Sequence, residues 1–193
     1  NQDKNLSKEK IEQLLNSIEA KFNDYLGEAI SDINNLEKST KNLYLTEKLN
    51  EIEFLIDTSK TGVSIQLTFP QVNGSVEYEL YKDAEMDKDD SMYITLTNAH
   101  REVSPNLRGY GIAKWLEKNI SKIAKSAKIK ELYFQSRDKY NSVVFPLTQG
   151  YECRNQKDRE QVIEILKYIY DHPEEYNNKR EESFLNLIYL ITI

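Results

Sequence analysis

The chain has little of what many site chemistries require. It holds one cysteine, Cys153, so no intrachain disulfide forms and no cysteine-based metal site is available. Two histidines, His100 and His172, are too few for a multi-histidine zinc centre, and no metal is expected. Only 6 glycines and 4 prolines occur in 193 residues, which excludes collagen-like and low-complexity classes. No apolar run approaches the ~18 residues that cross a bilayer; the longest lies near Phe184–Ile193. Asn1–Lys10 is polar and charged, without the apolar stretch of a signal peptide. The simplest expectation is a soluble, cytoplasmic protein that neither enters membranes nor binds nucleic acid. It is 39% hydrophobic and 30% charged, enough for one domain with a real core.

The net charge of −6 is unevenly spread. Residues 101–140 carry ten Lys or Arg against four acids, so this stretch is +6 and the remainder −12. A basic stretch in an acidic chain fits a local anionic ligand or, equally, a solvated helix face.

Periodicity organises the chain. Ile11, Leu15, Ile18, Phe22, Tyr25, Ala29 and Leu36 recur at helical spacing over 6–38, with Ser7 as N-cap. Leu45, Leu49, Ile52, Leu55 and Ile56 read as a second helix, giving an N-terminal helical hairpin. From Gly62 the period drops to two: Val63, Ile65, Leu67 and Phe69, then Val76, Tyr78 and Leu80 after the Asn73-Gly74 turn, then Tyr93–Thr97. The acidic run Asp83–Asp90 reads as an exposed loop. A helix over 112–127, a strand over 129–135, a short helix near Asn141–Thr148, a helix over Asp158–Tyr170 and a final strand complete an α+β chain. The expected division is a helical extension, 1–60, packed on a main domain, 61–193.

The informative stretch is Val103-Ser104-Pro105-Asn106-Leu107-Arg108-Gly109-Tyr110-Gly111-Ile112-Ala113-Lys114-Trp115-Leu116. A strand ends, a loop holds two glycines two apart, and a helix begins. Glycine lets the backbone turn sharply and approach a ligand. The first helical amides are unpaired, and the helix dipole adds positive potential there. Arg108 supplies a fork-shaped cation suited to phosphate. An anion-binding turn, for a pyrophosphate, is one reading and an ordinary strand–helix turn the other. No Gly-Lys-Ser/Thr follows, so it is not a P-loop.

This stretch resembles the GNAT superfamily of acyl-CoA-dependent N-acetyltransferases, whose R/Q-x-x-G-x-G/A signature is met at Arg108, Gly111 and Ala113. The resemblance implies a GNAT-like mixed, mostly antiparallel sheet with flanking helices. It implies that the amides of 108–113 bind the pyrophosphate of acetyl-CoA, so that Val103, Arg108, Gly109, Tyr110, Gly111, Ile112 and Ala113 form the cofactor site. It implies too that the strand ending at Val103 splays from the strand at 129–135, with pantetheine between them. The likeness is specific over 103–116, supportive over 92–151, and absent before 60 and after 155.

Two positions depart from the family. The phenol expected four residues before Gly150-Tyr151 is Pro146, and the Asn expected near pantetheine falls at Lys139, with Asn141 two residues away. Tyr140 and Tyr151 are the nearest phenols. Acetyl transfer needs a neutral amine, whereas a free lysine amine has a pKa of about 10.4, so a base is required. Glu102 and His100, flanking the strand end, are the candidates, each with the plain alternative of a rim residue. Three classes follow: an acetyltransferase acting on an amine acceptor (protein, peptide or small molecule), as monomer or homodimer; a non-catalytic acyl-CoA-binding or interaction module; and a scaffold.

Overall fold

The computed structural model describes residues 6–34, 44–49, 51–59, 61–138, 140–173 and 184–192. Helix α1, Lys8–Asn34, begins where Ser7 accepts the Lys10 amide on its Oγ at 3.1 Å. Ile11, Leu14, Leu15, Ile18, Phe22, Leu26, Ala29, Ile30 and Ile33 are buried at the three-four spacing of one helical face. That face lies on helix α2 (Ile112–Ser126) and on strands β2 (Ile52–Ser59) and β3 (Gly62–Phe69). Phe22 carries the contact, its ring 5.8 Å from Phe54 and 5.0 Å from Trp115.

The expected second helix does not form. Tyr44–Leu49 is strand β1, and it pairs antiparallel with β2 from Tyr44↔Asp57 to Leu49↔Ile52. The helical reading rested on Leu45, Leu49, Ile52, Leu55 and Ile56, but the buried side chains of β2 are Ile52, Phe54, Ile56 and Thr58, a period of two. Glu51, at φ 74°, makes the reversal between the two strands. The element before residue 60 is thus a helix followed by a β-hairpin. The Leu36 end of the expected first helix lies outside the described residues.

Strands β4 (Gly74–Met86) and β5 (Met92–Val103) are long antiparallel neighbours. Asp83–Met86 therefore belongs to a strand, and the acidic loop shortens to 87–91. Backbone pairing with β5 overrides the poor strand propensity of these acids, of which Asp83 is exposed and Glu85 half-buried. Strand β6 is Glu131–Asp138, helix α3 Tyr140–Thr148, strand β7 Glu152–Cys153, helix α4 Gln156–Asp171 and strand β8 Phe184–Thr192.

Among the described residues the sheet has eight strands in the order β1-β2-β3-β4-β5-β6-β8-β7. Every neighbouring pair is antiparallel except β5 with β6. The fold is α+β, a mixed, mostly antiparallel sheet with flanking helices. No helix among the described residues is long and apolar enough to cross a membrane.

Phe22 is fully buried between sheet and α2, so Phe22→Ala is expected to cost about 3–5 kcal/mol in urea unfolding. A loss below about 1 kcal/mol would mean that α1 does not dock as described.

Candidate functional site

Strand β5 ends at Val103, and Pro105–Leu107 makes a single 3-10 turn. Leu107 is buried and anchors this turn in the core. Gly109 and Gly111 then take φ 83° and 81°, in the left-handed region that favours glycine. A Cβ built on either would meet no atom within 4 Å, so space lies open beside both. Arg108 returns its Nε to the Val103 carbonyl at 3.1 Å, tying the loop to the strand end.

Helix α2 starts uncapped. Its first ladder bond runs from the Trp115 amide to the Gly111 carbonyl at 3.0 Å, and no side chain caps the end. The amides of Ile112, Ala113 and Lys114 precede that bond and face out at the positive end of the dipole. Lys114, Lys118 and Lys122 are exposed on the same helix.

The second feature is a gap in the sheet. β5 and β6 pair only from Thr95↔Glu131 to Asn98↔Phe134. Beyond that, β5 continues along β4 to Val103 while β6 continues along β8 to Asp138. The strands part beside the loop that leads into α2.

At the parting β5 carries a bulge. Leu80 pairs with Asn98 but Glu79 pairs with His100, leaving Ala99 over. The extra residue resets the side-chain alternation. His100 and Glu102 consequently lie together, exposed, on the face of Glu79 and Glu77. Arg101 and Val103 lie with Tyr78 and Val76 on the face that α2 covers, where the Tyr78 hydroxyl donates to the Ala113 carbonyl at 3.3 Å.

The predicted site residues therefore divide three ways. Val103 ends β5, residues 108–111 form the loop, and Ile112 and Ala113 open α2. Glu102 and His100 stand on the opposite face of β5. Tyr140 and Asn141 are the first two residues of α3, and Pro146 is buried inside that helix. Cys153 is half-buried, and burial pushes its thiol above the ordinary value.

A buried polar cluster escaped the sequence reading. Glu117, on the inner side of α2, accepts from Asn98 at 2.5 Å and from the Tyr151 hydroxyl at 3.2 Å. Burial pushes its carboxyl up to about 7, against the Arg101 charge and these two hydrogen bonds, which act downwards. Burial likewise holds the Tyr151 and Tyr78 phenols well above their usual value, with the nearby Glu117 charge adding to it. Tyr151 is thus a partner of Glu117. The Arg101 guanidinium lies 4.5 Å from the Phe134 ring centre of β6 and 4.3 Å from that of Phe145 in α3. It reaches across the gap, and its Nη1 is buried without a hydrogen-bond partner. The only sequence signal for this cluster was an acid set beside Leu116 in the inward stripe of α2.

No family model matches the chain, and no curated protein does. Solved structures of similar chain path include Naa50 of Arabidopsis thaliana with a CoA-Ac-MVNAL bisubstrate analogue, at 11% identity and TM-score 0.42, covering 67% of this chain and 72% of that one. A GNAT family acetyltransferase from Elizabethkingia anophelis with acetyl-CoA bound gives 13% and 0.43, covering 69% and 77%. A nourseothricin acetyltransferase gives 11% and 0.42, covering 86% and 91%. Each of these likenesses is partial.

The raised Glu117 carboxyl makes stability fall with pH. Between the unfolded value of 4.5 and about 7 the folded state binds more protons, so stability is fullest below that window and declines through it. In urea unfolding from pH 4 to 8, Glu117→Gln is expected to remove a decline of order 3 kcal/mol. Parallel pH profiles for the two proteins would refute the assignment.

Proposed function

We propose that this chain is an N-acetyltransferase that moves an acetyl group from acetyl-CoA to an amine by direct attack in a ternary complex. The observation that carries this reading is the uncapped α2 N-terminus, with its open glycine loop, beside the gap between β5 and β6. Free amides at the positive end of a helix suit a pyrophosphate, and a gap between parted strands suits an extended pantetheine arm. In this reading Val103 and residues 108–113 hold the cofactor, while Tyr140 and Asn141 flank the arm from the head of α3.

The reaction then proceeds as follows. Glu102 or His100 accepts a proton from the acceptor's ammonium. The free amine nitrogen attacks the thioester carbonyl carbon, and a backbone N–H near Val103 meets the oxyanion. The C–S bond breaks, the new C–N bond remains, the amide nitrogen loses its second proton, and the CoA thiolate takes up a proton to leave as the thiol. Both bases lie on the sheet face away from α2, so the amine approaches from that side.

A second reading has its own support. Arg101 lies across the gap and Pro146 occupies the position where the resemblance places a phenol. Both features favour a module that binds acyl-CoA without turnover. Isothermal titration with acetyl-CoA tests the site, and thiol release across an amine panel separates enzyme from module.

Gly111→Val is expected to weaken acetyl-CoA binding at least about ten-fold, roughly 1.4 kcal/mol, with the circular dichroism spectrum retained. Unchanged affinity would remove the loop from the site. Association with acetyl-CoA should slow as salt rises, since the exposed Lys114, Lys118 and Lys122 act at long range. A salt-independent rate in stopped flow would exclude that role.

A further inference from the structure

The sheet face turned away from α2 is rich in carboxylates. On β4 every second residue points to this face, and the order is Glu77, Glu79, Tyr81, Asp83, Glu85. Carboxylates two residues apart on a strand stand about 6.8 Å from one another. A cavity of about 220 Å³ opens over this row. Asp83 and Glu85 form one wall, Tyr133 and Gln135 of β6 the other, and Thr95 and Thr97 of β5 the floor, with Arg154 at the side.

Three observations point to a cationic occupant. First, Thr95 is fully buried on that floor and its hydroxyl has no hydrogen-bond partner. A buried hydroxyl left unpaired is costly, and a ligand N–H group would satisfy it. Second, the phenols here already lean on carboxylates. Glu131 accepts from Tyr93 at 3.3 Å and from Tyr133 at 2.8 Å, and Glu85 accepts from Tyr93 at 3.3 Å. Third, the protein's own cations gather on these rings: Arg154 lies 5.3 Å from the Tyr133 centre and Lys130 lies 4.7 Å from that of Tyr93. Electron-rich ring faces beside carboxylates attract cations.

The cavity reaches the end of the β5–β6 pairing. Thr97 is one residue from the last β5–β6 pair, and Gln135 is the first β6 residue beyond it. Glu79 and Glu77 then carry the acidic row past His100 and Glu102.

We infer that this face takes a linear polyamine, a chain of ammonium groups separated by short methylene spacers. One ammonium sits in the Asp83–Glu85 cavity over Thr95, and the strand places a distal amine beside His100 and Glu102. Carboxylates spaced along one strand suit a chain of spaced ammonium groups better than a single cation. As an assignment of the acceptor this rests on the acetyltransferase reading; as a binding site it stands by itself.

Spermidine titrated into the full chain without acetyl-CoA tests the site. Saturable binding is expected, weakened severalfold as salt rises from about 50 to about 300 mM. Asp83→Asn combined with Glu85→Gln, which keeps the shape, should weaken spermidine at least about ten-fold and leave acetyl-CoA affinity unchanged. Thr95→Val removes only the unpaired hydroxyl and should weaken spermidine about threefold or more while the fold persists. Spermidine binding that survives these changes, or n-butylamine binding equally well, overturns the inference. So does a chain that binds acetyl-CoA but not spermidine, which leaves the acetyltransferase reading standing. Spermidine binding without acetyl-CoA binding supports the cation site and defeats that reading instead.

Discussion

Strands β5 and β6 are hydrogen-bonded to each other over only four residues each, Thr95–Asn98 and Glu131–Phe134. This short parallel pairing is the constraint on which the remaining geometry hangs. The helix that connects them, α2, must return the chain along the sheet, so its N-terminus is set beside the point where the strands part. The bulge at Ala99 gives β5 an extra residue at that point and increases local twist. Past the bulge Arg101 turns towards α2 while His100 and Glu102 face the other side.

The two sides of the sheet around the gap are electrostatically opposite. On one, helix amides, Arg108 and the lysines of α2 gather positive potential. On the other, the alternating acids of β4 with Glu102 and Glu131 gather negative potential. An anionic cofactor and a cationic acceptor would approach from different directions and meet where β5 loses its partner. In the acetyltransferase reading, such separation would reduce competition between the two ligands and let each charge set steer its own partner.

The Glu117 cluster links these features to the core. Asn98 closes the β5–β6 pairing, Tyr151 follows α3, and Glu117 joins both to α2. A buried carboxyl held by two donors makes the position of α2 relative to the strand ends specific, because any shift leaves polar groups unpaired. Arg101, close to the rings of Phe134 and Phe145, keeps its charge near Glu117. Its aromatic contacts hold an always-charged group where water is scarce.

Much of this was legible in the linear chain. The glycines at 109 and 111, Arg108, and the abrupt switch from period two to period 3.6 located the loop and α2, because turn chemistry and amphipathic periodicity are local properties. The same locality misled the reading of 45–57, where Leu49, Ile52 and Ile56 fit a helix and only pairing within the sheet selects strands. It also hid the strand character of Asp83–Met86, since a ladder partner, absent from local sequence, overrides propensity. Glu117, Asn98, Arg101 and Tyr151 lie far apart in sequence, and no local signal marks four residues whose chemistry depends on shared burial. The acidic cavity over Thr95 likewise required the register of β4, β5 and β6. Local sequence determined which segments turn, coil or alternate; the tertiary structure decided which residues lose water together, and burial set their chemistry.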